Sequence, residues 1–199
     1  AARRRWAEEA AKVSDQSPIS TARLATEIGA AIRGTDWVVA GANAVASWML
    51  RLQSFERPER YIGSALGTAT QIGLGLGVGL AYKGTGKLVV NIQPDGDLMF
   101  DAGALWTAAQ SQIPLLIVMH NNRAYYNDWA HQIHIAEDRG RPAENAWIGQ
   151  AIDGPAPDFA GLARSMGVWA EGPIERPEDI APALRRAIEV VPVAATRQA

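Results

Sequence analysis

Two short stretches of this chain carry residue types that can do chemistry, and each directly follows an apolar run. Lys87-Leu88-Val89-Val90-Asn91-Ile92 leads into Gln93-Pro94-Asp95-Gly96-Asp97, and Leu115-Leu116-Ile117-Val118-Met119 leads into His120-Asn121-Asn122-Arg123-Ala124. A carboxylate on one tip and a carboxamide on the other suit a hard cation such as Mg²⁺, which takes oxygen ligands in octahedral geometry and completes its shell with phosphate and water. Gly96 lets the backbone approach a phosphate closely, and the N-terminus of a following helix favours its negative charge. Each tip taken alone also reads as a plain turn or strand end.

The elements that must hold these tips are legible as a pattern. Two near-continuous apolar runs separated by a helix are the mark of parallel strands covered on both faces, and ligands in such sheets bind at the carboxyl ends of strands. The fold class is therefore α/β, a parallel sheet of about five or six strands with helices on both faces. Strands are expected at Trp37-Val38-Val39, Tyr61-Ile62, 87–92, 115–119 and Val168-Trp169-Ala170. Ser20 caps a helix carrying Leu24, Ile28 and Ile32, with Gly34 past its end; further helices are expected over Val45–Gln53, about Asp101–Gln112, from Asp158, and from Pro177 to Val191. Residues 123–157 read as a long loop holding at most a short helix, of the kind that is often functional. Residues 1–18 form a short polar helix and linker, or the end of a preceding domain, and 19–199 form the domain proper.

Composition narrows the function classes. With 199 residues, 48% hydrophobic and 20% charged, the chain is a packed domain and not a disordered one. Nineteen Lys and Arg against 21 Asp and Glu leave no basic field for nucleic acid, and the lack of cysteine removes thiolate chemistry and cysteine-ligated metals. Arg3-Arg4-Arg5-Trp6 has no apolar run behind it, so export is not indicated and a cytoplasmic location is expected. The chain opens on Ala1, as expected of a processed or excised piece. Tyr61 to Tyr82 is 22 residues without a charge, but six glycines and several polar residues dilute it, and it reads as a closely packed buried helix and not a membrane span. The alternating Gly73, Gly75, Gly77 and Gly79 do not match the dinucleotide fingerprint. His131 and His134 with Glu137 read as a solvated helix face in preference to a zinc site.

Taken together, the two tips resemble the family of thiamine diphosphate enzymes, which carries Gly-Asp-Gly and, further on, Asn-Asn. Here Asp95-Gly96 precedes Asn121-Asn122, Asp95 and Asn122 stand 27 positions apart, and the intervening Gly103-Ala104-Leu105-Trp106-Thr107-Ala108-Ala109-Gln110 is similar to the same helix in benzoylformate decarboxylase and acetolactate synthase-like proteins. The likeness covers roughly residues 20–190 as the C-terminal, diphosphate-binding domain. Pro94 departs from the pattern, standing where the first glycine would be.

The resemblance implies thiamine diphosphate and Mg²⁺ as cofactors. It assigns the ion to Asp95, the side-chain oxygen of Asn122 and the backbone carbonyl of Ala124. Gly96 and Asp97 would offer backbone donors to the diphosphate, Gly41-Ala42-Asn43 a second phosphate-contacting turn, and Tyr125 a further cofactor contact. Ser64 to Gly67 would meet the aminopyrimidine, with Leu66 as the apolar wedge or, three residues on, Ala69. Tyr126 and His131 are the substrate-side candidates, on a cover formed by 123–157. The activating glutamate of such enzymes stands on a separate pyrimidine-binding domain, so this chain is expected to be half of an active site, completed by that domain or subunit in a homodimer, tetramer or hetero-oligomer. The implied reaction makes or breaks a carbon-carbon bond next to the carbonyl of a 2-oxo acid or aldehyde; the alternative is a noncatalytic cofactor-binding or assembly module of the same fold.

Overall fold

The computed structural model describes residues 2–41, 43–63 and 70–192. Ala42, Ser64, Leu66 and Ala69, for which cofactor contacts are expected, lie outside the described residues.

Four strands form one all-parallel sheet in the order β2-β1-β3-β4: β1 (Trp37–Ala40), β2 (Tyr61–Ile62), β3 (Leu88–Pro94) and β4 (Leu116–His120). β1 pairs β3 from Trp37 opposite Leu88 to Ala40 opposite Asn91, and β3 pairs β4 from Val90 opposite Leu116 to Pro94 opposite His120. The period of two then sorts side chains by face. Trp37, Val39, Leu88, Val90, Ile92, Leu116 and Val118 point to one core, under α2 (Thr21–Ala31), α3 (Ala44–Leu52) and α9 (Ile180–Val190). Val38, Ala40 and Val89 point to the other face, under α4 (Gln71–Ala81). On that second face, next to β4, α5 (Asp95–Phe100), α6 (Ala104–Gln110) and α8 (Phe159–Ser165) bury Leu98, Leu105 and Ala163 against Ile117 and Met119. Helices on both faces are the expected consequence of parallel crossovers. Each fully buried side chain such as Ile28, Ile72 or Ile92 contributes about 2 kcal/mol of transfer free energy.

Local signals account for the helix boundaries. The Ser20 hydroxyl accepts from the Arg23 N–H at 3.1 Å and starts α2, and the Asp158 carboxylate accepts from the Gly161 N–H at 2.8 Å and starts α8. In α4 the alternating glycines divide by face. A Cβ on Gly75 would stand 2.6 Å from Cγ of Asn91, and one on Gly79 would stand 2.6 Å from the Ile113 side chain, whereas Gly73 and Gly77 face open space. One face of the helix is thereby cut away to sit on the sheet. α1 (Ala2–Ala11) packs on α2 and α3 and buries Ala10.

Three expectations are corrected. Among the described residues the sheet has four strands and not five or six, because Val168-Trp169-Ala170 runs extended without joining the ladder, although Val168 and Ala170 pack on the core beside Met119. A groove of about 1630 Å³ lies between that stretch and Leu116–Met119, with Leu184 and Val191 also lining it. The helix expected over Asp101–Gln112 is shorter, α6 alone, and a helix the sequence reading did not expect, α5, stands ahead of it at the very end of β3, with Asp95 and Asp97 in its first turn and a turn at Asp101–Gly103 between the two. Residues 123–157 hold a longer helix than the short one expected: α7 (Tyr126–Asp138) is 13 residues long, and irregular chain makes up the rest. No helix among the described residues is long and apolar enough to cross a membrane.

Candidate functional site

β3 and β4 are neighbours and parallel, so their carboxyl ends deliver Asp95 and Asn121–Ala124 to the same edge of the sheet. The join is direct. The Arg123 N–H donates to Oδ2 of Asp95 at 2.7 Å, and the Gly96 N–H donates to Oδ1 at 2.8 Å. Asp95 is 1% exposed. Burial pushes its carboxyl above the ordinary carboxylate range, opposed by the Gly96 and Arg123 N–H groups and by His120. Burial likewise pushes the His120 imidazole down, with Asp95 pulling it back up. The carboxylate is thus held by main-chain donors, with no side-chain cation hydrogen-bonded to it among the described residues, and a buried charge in that state is favoured by any cation that reaches it.

The second tip is folded back on itself through its two carboxamides. Arg123 takes a left-handed φ of 57°, the Asn121 carboxamide oxygen accepts from Arg123 N–H at 3.2 Å, and that of Asn122 accepts from Ala124 N–H at 3.2 Å. Ala124 bridges Ala151 in antiparallel fashion through two bonds, Tyr125 N–H to Gln150 O and Ile152 N–H to Arg123 O, and this pattern bypasses the Ala124 carbonyl. The three proposed ligands are all oxygen, one charged and two neutral. Among the described residues no cluster of three His, Cys, Asp or Glu side chains forms a metal site, so His131, His134 and Glu137 do not make one.

The phosphate-side residues divide. Gly96 has Tyr125 laid across it: a Cβ there would stand 2.6 Å from the ring, which also contacts Phe100 with centroids 5.5 Å apart. Burial and the nearby Asp95 raise the Tyr125 phenol. The Gly96 N–H is already taken by Asp95, whereas the Asp97 side chain turns away to accept from Gln71 N–H at 3.0 Å. Asn43 caps α3, its Oδ1 accepting from Ala46 N–H at 3.0 Å, and its Nδ2 donates to Ile92 O at 3.3 Å, tying the turn after β1 to the end of β3. The Tyr61 hydroxyl donates to Gly41 O at 2.7 Å. Tyr126 and His131 both lie exposed on α7. Five residues apart, they are separated by about 140° around the helix and share no face.

Residues 41–195 match the family described as thiamine pyrophosphate enzyme, C-terminal TPP binding domain, thiamine pyrophosphate being another name for thiamine diphosphate. The chain belongs to that family. A curated relative, the probable chloroplastic acetolactate synthase 2 of Oryza sativa subsp. japonica, is 26% identical over 180 residues, which is 83% of this chain and 26% of the relative. Among solved structures, the thiamine diphosphate-dependent 4-hydroxybenzoylformate decarboxylase of Rhodococcus jostii RHA1 superposes with a TM-score of 0.69 at 22% identity, over 88% of this chain and 31% of that one. A putative thiamin diphosphate-dependent enzyme from Mycobacterium smegmatis gives 0.65 at 20% identity, over 89% and 31%. The chain therefore spans about a quarter to a third of the proteins it matches, and the two structures establish the fold. This TPP-binding domain has the sheet, the helix layers and the paired tips that the sequence pattern implied. Sequence reasoning missed Gln71, Asn91 and Gln93, three buried carboxamides beneath the Asp95 loop. The signal was present, since Asn91 and Gln93 interrupt an apolar strand at a spacing of two.

Proposed function

We propose that this chain is the diphosphate- and Mg²⁺-binding half of a thiamine diphosphate enzyme that cleaves or forms a carbon-carbon bond next to a carbonyl, in the manner of a 2-oxo acid decarboxylase or an acetolactate synthase-like carboligase. The observation that carries the reading is the 2.7 Å bond from Arg123 N–H to Asp95, which ties a buried carboxylate to the tip that carries Asn122 and Ala124. That donor set suits Mg²⁺, a hard ion that shares its shell with phosphate. Asp95 supplies the charge, and the Asn122 carboxamide and the Ala124 carbonyl supply neutral oxygens. When bound, thiamine diphosphate supplies a carbon nucleophile and an electron store. Tyr125 closes one side of the loop and shields the Asp95 carboxylate from water. An acid to activate the cofactor comes from a pyrimidine-binding domain or subunit, so the active unit is a dimer, tetramer or hetero-oligomer.

The test is calorimetric titration of thiamine diphosphate into the assembled protein, with Mg²⁺ and with EDTA, followed by turnover on a panel of 2-oxo acids and aldehydes. Binding that needs Mg²⁺ and disappears in Asp95→Ala supports the reading. Equal binding by Asp95→Ala sinks it.

A further inference from the structure

β3 turns Leu88, Val90 and Ile92 to one core, and its opposite face begins with Val89. Apolar residues would be expected to continue along that face, yet the next two positions are Asn91 and Gln93, both 0% exposed. Apolar residues of the same shape would fill the space without the cost of desolvating amides. The amides instead form a chain that runs one way. Gln71 Nε2 donates to Asn91 Oδ1 at 2.7 Å, Asn91 Nδ2 donates to Gln93 Oε1 at 2.9 Å, and Gln93 Nε2 donates to the carbonyl of Pro94 at 3.2 Å. Donor-to-acceptor chains of this kind polarise one another and stiffen what they end on.

The chain ends on the residue before Asp95, and it begins on a residue that also reaches the same loop from the other side. Gln71 is the first residue of α4, and its backbone N–H donates to Asp97 Oδ2 at 3.0 Å. Residues 94 to 97 are thus gripped twice by one residue, from beneath through three carboxamides and from the flank through the main chain. Gly75, one turn along α4, provides the room, since a Cβ there would stand 2.6 Å from Cγ of Asn91. The carboxylate that this grip orients is buried and is fixed through both of its oxygens by N–H groups of residues 96 and 123. Small shifts of the loop therefore move the whole donor set, and sites of this kind must be held to about 0.5 Å to work.

We propose that Gln71 is the positioning residue of the Asp95 loop, acting through Asn91 and Gln93 on Pro94 and through its own main chain on Asp97. The proposal rests on the reading of that loop as the cation site. Gln71→Met breaks the amide chain at its origin while keeping the length and apolar stem of the side chain. The triple variant Gln71→Met, Asn91→Leu, Gln93→Met replaces all three amides with apolar groups of similar shape and so leaves no amide of the chain half-satisfied. In the assembled protein, both variants should lose about tenfold in Mg²⁺ affinity measured with saturating thiamine diphosphate, with a melting midpoint near that of the wild type for the triple variant. In the protein without added ligand, amide hydrogen exchange at Gly96 and Asp97 should quicken in both. Wild-type exchange at these two amides in both variants would overturn the proposal, whatever the ion does. Wild-type protein that binds no Mg²⁺ with thiamine diphosphate, while the variants still show faster exchange, would sink the cation-site reading and leave the positioning role standing.

Discussion

The two ends of the sheet each hold an aspartate, and they are built on opposite principles. At the amino end, Asp36 is exposed and surrounded by cations: Lys87 Nζ at 2.6 Å, Arg57 at 2.6 Å and Arg60 at 3.8 Å, with Arg60 also stacked 4.4 Å over the Trp37 ring. The Lys87 hydrogen bond above all holds its carboxyl below the ordinary value; desolvation opposes it, and the Arg57 bond and the two positive charges add to the lowering. At the carboxyl end, Asp95 is buried among main-chain donors and its carboxyl is pushed up by desolvation. One aspartate has its charge matched by the fold and serves stability. The other is held by main-chain N–H groups in a buried place, which suits the cation-binding role proposed for it.

The sharpest way to break this contrast is to remove each carboxylate in turn. Asp95→Ala should lower Mg²⁺-dependent thiamine diphosphate affinity by about a hundredfold or more, consistent with the loss of a charged ligand to a divalent ion. Asp36→Ala should leave it within about twofold. Calorimetry on the two variants side by side checks both, and equal losses would erase the distinction between the ends.

A smaller effect is expected from Gly96→Ala. The new methyl meets the Tyr125 ring at 2.6 Å, so the ring or the loop must shift. About tenfold weaker cofactor binding should result, and Gly96→Ala combined with Tyr125→Ala should recover part of it. No recovery in the double variant would mean that the glycine matters for a reason other than that ring.

Asp36→Asn should cost about 1 kcal/mol of stability or less near pH 7, since Asp36 itself and Arg57 are about half exposed and screened. The sign with pH follows from the depressed carboxyl. A carboxyl lowered by folding contributes stability that is fully present above its unfolded value, about 3.9. It is lost as pH falls through the lower, folded value. The melting difference between wild type and Asp36→Asn should therefore be flat from pH 8 to pH 5 and should close in the acid range. A difference that instead grew toward low pH would contradict the ion-pair account. The smallest expected effect is at α7, where Tyr126→Ala and His131→Ala should change cofactor affinity less than twofold, because both side chains are exposed to solvent. A larger loss in either variant would bring α7 into the cofactor site.

Legibility in the sequence followed the physics of each element. β1, β3 and β4 could be read because strands covered on both faces are near-continuous apolar runs, and the paired tips could be read because ligands gather where such strands end. Val168-Trp169-Ala170 misled, since three apolar residues state that a segment is covered and not that its backbone is paired. α7 was hidden for another reason: its apolar positions Trp129, Ile133 and Ala136 stand at helical spacing but are few and only half-buried, among polar residues and ahead of a glycine- and proline-bearing stretch that reads as loop. The grip of Gln71 on the Asp95 loop depends on a helix end and a strand face meeting across 20 residues of chain, and spacing alone does not express that meeting. The expected contacts at Ala42, Ser64 and Leu66 lie outside the described residues and stay as proposals.

The groove beside β4 has a consequence for how this protein must be handled. Among the described residues no strand pairs with the outer edge of β4, and an unpaired edge rewards any extended segment that lies along it with the same main-chain bonds. A segment tethered in the same polypeptide collects that reward at an effective concentration fixed by its linker, whereas a second molecule collects it only as the solution becomes concentrated. Stability is then a first-order property in one case and a second-order property in the other, and dilution across a hundredfold range, read by the melting midpoint, tells the two apart.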